Sequence, residues 1–292
     1  MKRFFLILCS ICVSFSTYCQ DDLLSLLDSE DENLTYATFK ATKIINLQSI
    51  EQPAEKELDF IISHRFGTIN SGIENLYGLD YGNIRMSFNY GLKDYITLGL
   101  ARSSSQKVID FSVKTKLINQ GKNNFPLTVS VYSSLFYDTL SSIFAEEDLS
   151  SNDFSYCHQL LIARKMNSKL SIQIAPTLTH YNYVSPFFDL NDNMIALGMG
   201  GRYKVNNSVS INSEWIPIIS SGSDVIHPFK NKNYINSFSL GCDIETGGHV
   251  FQLFLSNSIS MYERGFVNET IEQWENGGVH FGFNISRVFN FK

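Results

Sequence analysis

The 292-residue chain carries 23 Lys and Arg against 29 Asp and Glu, a net charge of −6. Only 18% of its residues are charged and 13% are aromatic, with 23 Phe and 14 Tyr against 2 Trp. That balance, with no basic run, argues against nucleic acid as a partner, and so lightly charged and aromatic a chain reads as neither a disordered segment nor an ordinary soluble enzyme.

At the start, Lys2 and Arg3, an apolar run over 4–15 and a short polar stretch over 16–20 follow the order of a cleaved export signal at 1–20. The run is shorter than the ~20 residues a helix needs to cross a bilayer. Cys19 raises the alternative of a lipid-modified N-terminus, but the bulky Tyr18 before it fits that processing poorly. Residues 21–32 are acidic, with Leu23, Leu24, Leu26 and Leu27 at helical spacing, and 42–50 has a poor extended pattern. The whole of 21–50 is therefore expected to be a periplasmic N-terminal segment, tail-like or loosely docked, ahead of a barrel over 51–292.

From Leu58 onward the period becomes two. Ile84, Met86, Phe88 and Tyr90 alternate with Arg85, Ser87 and Asn89. Ile109, Phe111 and Val113 alternate with Asp110, Ser112 and Lys114, and Val279, Phe281, Phe283 and Ile285 with His280, Gly282, Asn284 and Ser286. In a strand such spacing sends one set to each face. The pattern predicts strands at 57–66, 83–91, 94–103, 106–118, 126–138, 153–165, 168–182, 193–205, 208–219, 234–245, 249–258 and 278–290. Tight turns such as 92–94, 165–167, 206–207 and 247–248 alternate with long loops such as 139–152, 183–192, 220–233 and 259–277.

These features predict an all-β fold, a closed antiparallel transmembrane β-barrel of twelve strands, with fourteen as the alternative, short periplasmic turns and longer extracellular loops. A soluble sandwich also alternates, but its strands cluster at about 5–6 residues, whereas tilted spanning strands need ~9–11. Aromatics near strand ends (Tyr90, Tyr95, Phe136, Tyr137, Tyr181, Tyr183, Tyr203, Phe289) suit interfacial girdles.

Arg65, Arg85, Asp110, Lys114, Lys116, Arg202, Lys204, Asp243 and Glu245 fall on the polar face and are the candidate lumen-lining residues. Lys114 or Lys116 paired with Asp243 or Glu245 would bridge the lumen.

Little else suggests chemistry. His64, His158, His180, His227, His249 and His280 include no pair at metal-ligand spacing, and no G-x-S-x-G elbow occurs. The expectation is no metal, no cofactor and no catalytic residue. Cys157 and Cys242, the two cysteines beyond the signal, read as unbridged thiols. The loop 220–232, with Asp224, His227, Pro228 and two lysines, reads as a turn-rich surface loop.

Several strings carry a family resemblance: LDFIISHRFG (58–67), GLDYGNIRMSFNYGLKDYITLGLARSS (78–104), SSGSDVIHPF (220–229), DIETGGHVFQLFLSNS (243–258) and FGFNISRVFNF (281–291). From about Phe39 to Lys292 the chain resembles a family of Gram-negative cell-envelope proteins defined by a membrane-bound β-barrel domain of unknown function. The resemblance implies the fold and the cell outer membrane as location, and no activity, ligand or catalytic residue. Outer-membrane proteins often end on an aromatic residue, whereas Lys292 follows Phe291 here. The expected partners are outer-membrane lipid, the insertion machinery during biogenesis and small polar solutes. The functions to be weighed are a narrow passive channel for such solutes and, as the alternative, a closed structural or docking barrel that binds a partner through its loops or periplasmic tail.

Overall fold

A computed structural model of the protein describes residues 34–121, 125–139, 150–183, 192–220, 226–227 and 232–291, all within one compact unit, Leu34–Lys292. The alternating stretches fold as β1 (Glu57–Thr68), β2 (Gly82–Lys93), β3 (Ile96–Ser103), β4 (Val108–Ile118), β5 (Thr128–Asp138), β6 (Phe154–Lys165), β7 (Leu170–Tyr181), β8 (Asn193–Lys204) and β9 (Val209–Ile216). The two-residue β10 (Ile226–His227) and β11 (Lys232–Asn233) pair only with each other. The wall then resumes with β12 (Ser237–Thr246), β13 (His249–Ser256) and β14 (His280–Asn290).

Each wall strand pairs antiparallel with its neighbour in the chain, and β1 pairs with β14 in register from Glu57↔Asn290 to Arg65↔Gly282, which closes the cylinder. Among the described residues the wall has twelve strands, and both its ends lie on one rim, as an even count requires. Closure leaves no strand edge, and so no unpaired row of amides and carbonyls.

Connections on the rim where the wall begins and ends are brief, such as 166–169, 205–208 and 247–248, though 119–127 is longer. Those on the opposite rim include 69–81 and 257–279. The loops read at 139–152, 183–192 and 220–232 lie largely outside the described residues.

The wall is built inside out relative to a soluble protein. Along β7, Ile172, Ile174 and Leu178 are exposed while Ser171, Gln173, Thr177 and Thr179 are buried. Along β4, Phe111 and Val113 are exposed while Asp110 and Lys114 are buried. An apolar belt facing outward over a polar interior is the arrangement hydrocarbon stabilises. No described helix is long and apolar enough to cross a membrane, which says nothing of strands.

Two readings change at the level of side chains. Phe136 and Tyr181 do not join an interfacial girdle. Phe136 is fully buried against Tyr262, and the Tyr181 hydroxyl accepts a hydrogen bond from Asn268 inside the cylinder. Tyr95, Tyr183, Tyr203 and Phe289 are exposed. Cys157 faces inward with Ser155 and Gln159, whereas Cys242 lies on the outward face with Leu240, so no disulfide joins them.

Candidate functional site: a bore closed from both rims

The interior is filled by two segments that are not wall. Residues 38–39 and 41–50, expected in the periplasm, are buried inside the cylinder instead. They form a small hairpin: Lys43 bridges Gln48, the Ile44 amide donates to the Leu47 carbonyl at 2.8 Å, and the Ser49 amide donates to the Thr42 carbonyl at 2.9 Å. Both of its ends touch the short-turn rim. Lys165 Nζ donates to the Tyr36 carbonyl at 2.8 Å on the way in, and the Lys56 amide donates to the Gly91 carbonyl at 2.8 Å on the way out.

The physical reason for the difference is mutual satisfaction. Polar groups facing an enclosed bore must find partners, and the hairpin backbone supplies them. The Glu214 carboxylate accepts from the amides of Asn46 and Leu47, each at 3.0 Å. The Gln173 side chain accepts from the Ile50 amide at 3.0 Å and donates to the Gln48 carbonyl at 2.7 Å. Gln252 donates to the Ile44 carbonyl at 2.9 Å, and Asn284 donates to the Ile45 carbonyl at 3.1 Å.

The wall also leaves room. A side chain at Gly198 would meet Leu47 Cδ2 at 2.8 Å, and one at Gly200 would collide with Ile44 Cδ1. Apolar contacts complete the fit: Phe39, Ile44 and Ile50 pack with Tyr132, Leu161, Ala163 and Ala175.

From the opposite rim, the β13–β14 connection folds inward around α1 (Glu263–Asn268), all six residues of which are buried. Arg264 Nη1 donates to Asp138 Oδ2 at 2.6 Å and to Ser155 at 2.9 Å, and Asn268 donates to Thr179 at 2.7 Å. The two stoppers meet in the middle. Leu47 packs with Phe266 and Val267, Gln48 Nε2 donates to Glu263 Oε1 at 2.8 Å, and Lys43 Nζ donates to the Met261 carbonyl at 3.2 Å and lies 3.9 Å from Glu263 Oε1. Neither Lys43 nor Glu263 belongs to a wall strand. Burial pulls the Lys43 ammonium down to about 8 against the opposing pull of Glu263. Burial would raise Glu263, but Lys43 and Arg85 together hold it below the usual carboxylate range.

The nine lumen candidates all lie on the inward set, with different fates. Arg65 Nη2 donates to Asn46 Oδ1 at 2.7 Å, with its guanidinium 4.0 Å from the Phe254 ring centre. Arg85 Nη2 donates to Asp110 Oδ1 at 2.9 Å from two strands away. Lys114 Nζ donates to the carbonyls of Ser49 and Glu51 at 3.0 and 3.1 Å. Arg202 donates to Ser210 at 2.9 Å, and Asp243 accepts from Gln252 at 2.9 Å. Lys116, Lys204 and Glu245 sit half-buried toward the short-turn rim, where Glu245 pairs with Lys40. The expected bridges from Lys114 or Lys116 to Asp243 or Glu245 are not formed, because the hairpin takes up Lys114 and Lys40 reaches Glu245 first.

Pattern reading missed the largest contributors, Glu214, Gln173, Gln252 and Asn284. Their signal was available, since each stands at a polar position of an alternating strand. One small cavity beside the hairpin, between Thr42, Gln48, Lys114 and Tyr132, is about the size of one water molecule.

Several solved structures are similar to the chain at low identity. An outer membrane channel from Pseudomonas putida F1 is 13% identical, with 82% of this chain and 97% of that chain covered and a TM-score of 0.45. The KdgM porin is 9% identical, with 81% and 99% covered and a TM-score of 0.46. The outer membrane protein Omp33 from Acinetobacter baumannii is 11% identical, with 82% and 100% covered and a TM-score of 0.41. No curated protein matches the chain. A family model described as "Membrane bound beta barrel domain (DUF5777)" matches residues 39–289, so this chain, with its apolar belt and its occupied bore, belongs to that family of membrane-bound β-barrels.

Proposed function

We propose that the protein is exported by the signal at 1–20, resides in the outer membrane with its short-turn rim toward the periplasm, and acts there as a gated conduit for small polar solutes, closed at rest. No catalytic step is part of this role. The observation that carries the reading is the way the bore is closed. A barrel of about eight strands is narrow enough to be filled by the side chains of its own wall, whereas here the twelve-stranded wall recedes to Gly198 and Gly200 and a separate segment fills the space. Behind that segment lie charged and amide side chains, a lining suited to water once the hairpin leaves.

The alternative, a permanently closed docking barrel, draws support from the many polar links between hairpin and wall. Planar-bilayer conductance separates the two. The intact protein is expected to be silent, and a Glu214→Ala, Gln173→Ala, Arg264→Ala variant, which removes the anchors of four hairpin backbone groups together with the bonds that hold α1 to Asp138 and Ser155, is expected to give stepwise conductance. Steady conductance by the intact protein would contradict closure at rest, while silence from a correctly folded variant with both stoppers released would favour the docking barrel.

A further inference from the structure

We propose that the bore is a peptide-binding site whose resident occupant is the chain's own hairpin, and that it accepts a short turn-forming peptide in exchange. The inference rests on the reading of the hairpin as displaceable.

The wall's contacts fall mainly on peptide backbone rather than on side chains. Gln173 bonds an amide and a carbonyl two residues apart, as a neighbouring strand would. Glu214 takes two successive amides at the tip, while Gln252 and Asn284 take the two carbonyls just before it. Lys114 gathers carbonyls where the two arms come together. Main-chain bonding of this kind gives affinity in peptide recognition, and pockets for individual side chains give selectivity.

Selectivity is present too. Ile44 and Leu47 enter the notches above Gly200 and Gly198, and Asn46 is held by Arg65 and by Ser239 at 3.0 Å. The ligand class is therefore a peptide with an apolar–x–Asn–apolar turn, as Ile44-Ile45-Asn46-Leu47 presents it. Access is from the short-turn rim, where both arms of the hairpin end.

Exchange can be tested in the full chain. A protease site inserted between Ala54 and Glu55, where Ala54 is exposed at the rim, is cut after folding in detergent. A fluorescent synthetic peptide of residues 38–53 is then added in excess. The cut barrel is expected to take up the peptide, and the uncut barrel to exclude it because its own hairpin is tethered at high effective concentration. A peptide carrying Asn46→Ala, which loses its bond to the Arg65 guanidinium, is expected to bind about 10-fold or more weakly. Absence of uptake by the cut barrel, or equal uptake of a scrambled peptide, would overturn the inference. If uptake fails while the uncut barrel is non-conducting, only this inference falls. Conduction by the uncut barrel removes the reading beneath it.

Discussion

Single residues decide what the bore can hold. Gly200 is the sharpest case, because any side chain there enters the volume of Ile44. Gly200→Leu is expected to lower stability by about 1–3 kcal/mol, as over-packing in a close-packed interior does, and to make the hairpin arm at 51–56 more open to protease. Denaturant midpoints and limited proteolysis check this, and an unchanged variant would place Ile44 elsewhere. How much of this site was legible from sequence differs residue by residue. Alternation turns Arg85, Asp110 and Lys114 inward, since period two follows from strand geometry. Their partners are another matter. Lys114 bonds backbone carbonyls at 42, 49 and 51, which no side-chain pattern marks. Phe136 and Tyr181 look like girdle residues because a terminal aromatic reads alike whether it points to lipid or into the bore.

Elements were legible in proportion to how different their two faces are. Each wall strand meets lipid on one side and a polar interior on the other, so period two is written strongly along β2, β4 and β7. Its energetic consequence is testable at Ile174, exposed on the outer face of β7 between Ile162 and Met199. Ile174→Lys is expected to cost about 2–4 kcal/mol, the penalty of a lysine at the bilayer midplane, read from reversible unfolding in lipid. The hairpin, by contrast, is surrounded on every side and mixes apolar contacts with backbone bonding, so it shows no period at all. Its irregular sequence read as a loose segment for that reason. In the β13–β14 connection, Tyr262 and Phe266 stand one helical turn apart and Val267 follows, a real but brief signal. A six-residue helix is too short to make it stand out from a surface loop.

At the scale of the whole molecule, short links and an even strand count were enough to imply a closed meander. Closure itself depends on β1 meeting β14, more than 200 residues later. Occupation of the bore is a still less local property. It joins residues near 46 to partners at 65, 214, 239, 252 and 284 on separate strands. At rest these contacts form one cooperative unit, in which the hairpin is as much a part of the folded barrel as the wall. Opening free energies are not uniform within a protein, and amide exchange reports them segment by segment. Hydrogen–deuterium exchange on the intact protein in lipid therefore measures occupancy directly, through the amides of Ile44, Asn46, Leu47, Ser49 and Ile50, all of which have acceptors inside the bore. Protection of these amides comparable to that of β7 and β8 is the expected result. Exchange at the rate of a free peptide, with the wall strands still protected, would mean that the hairpin does not occupy the bore.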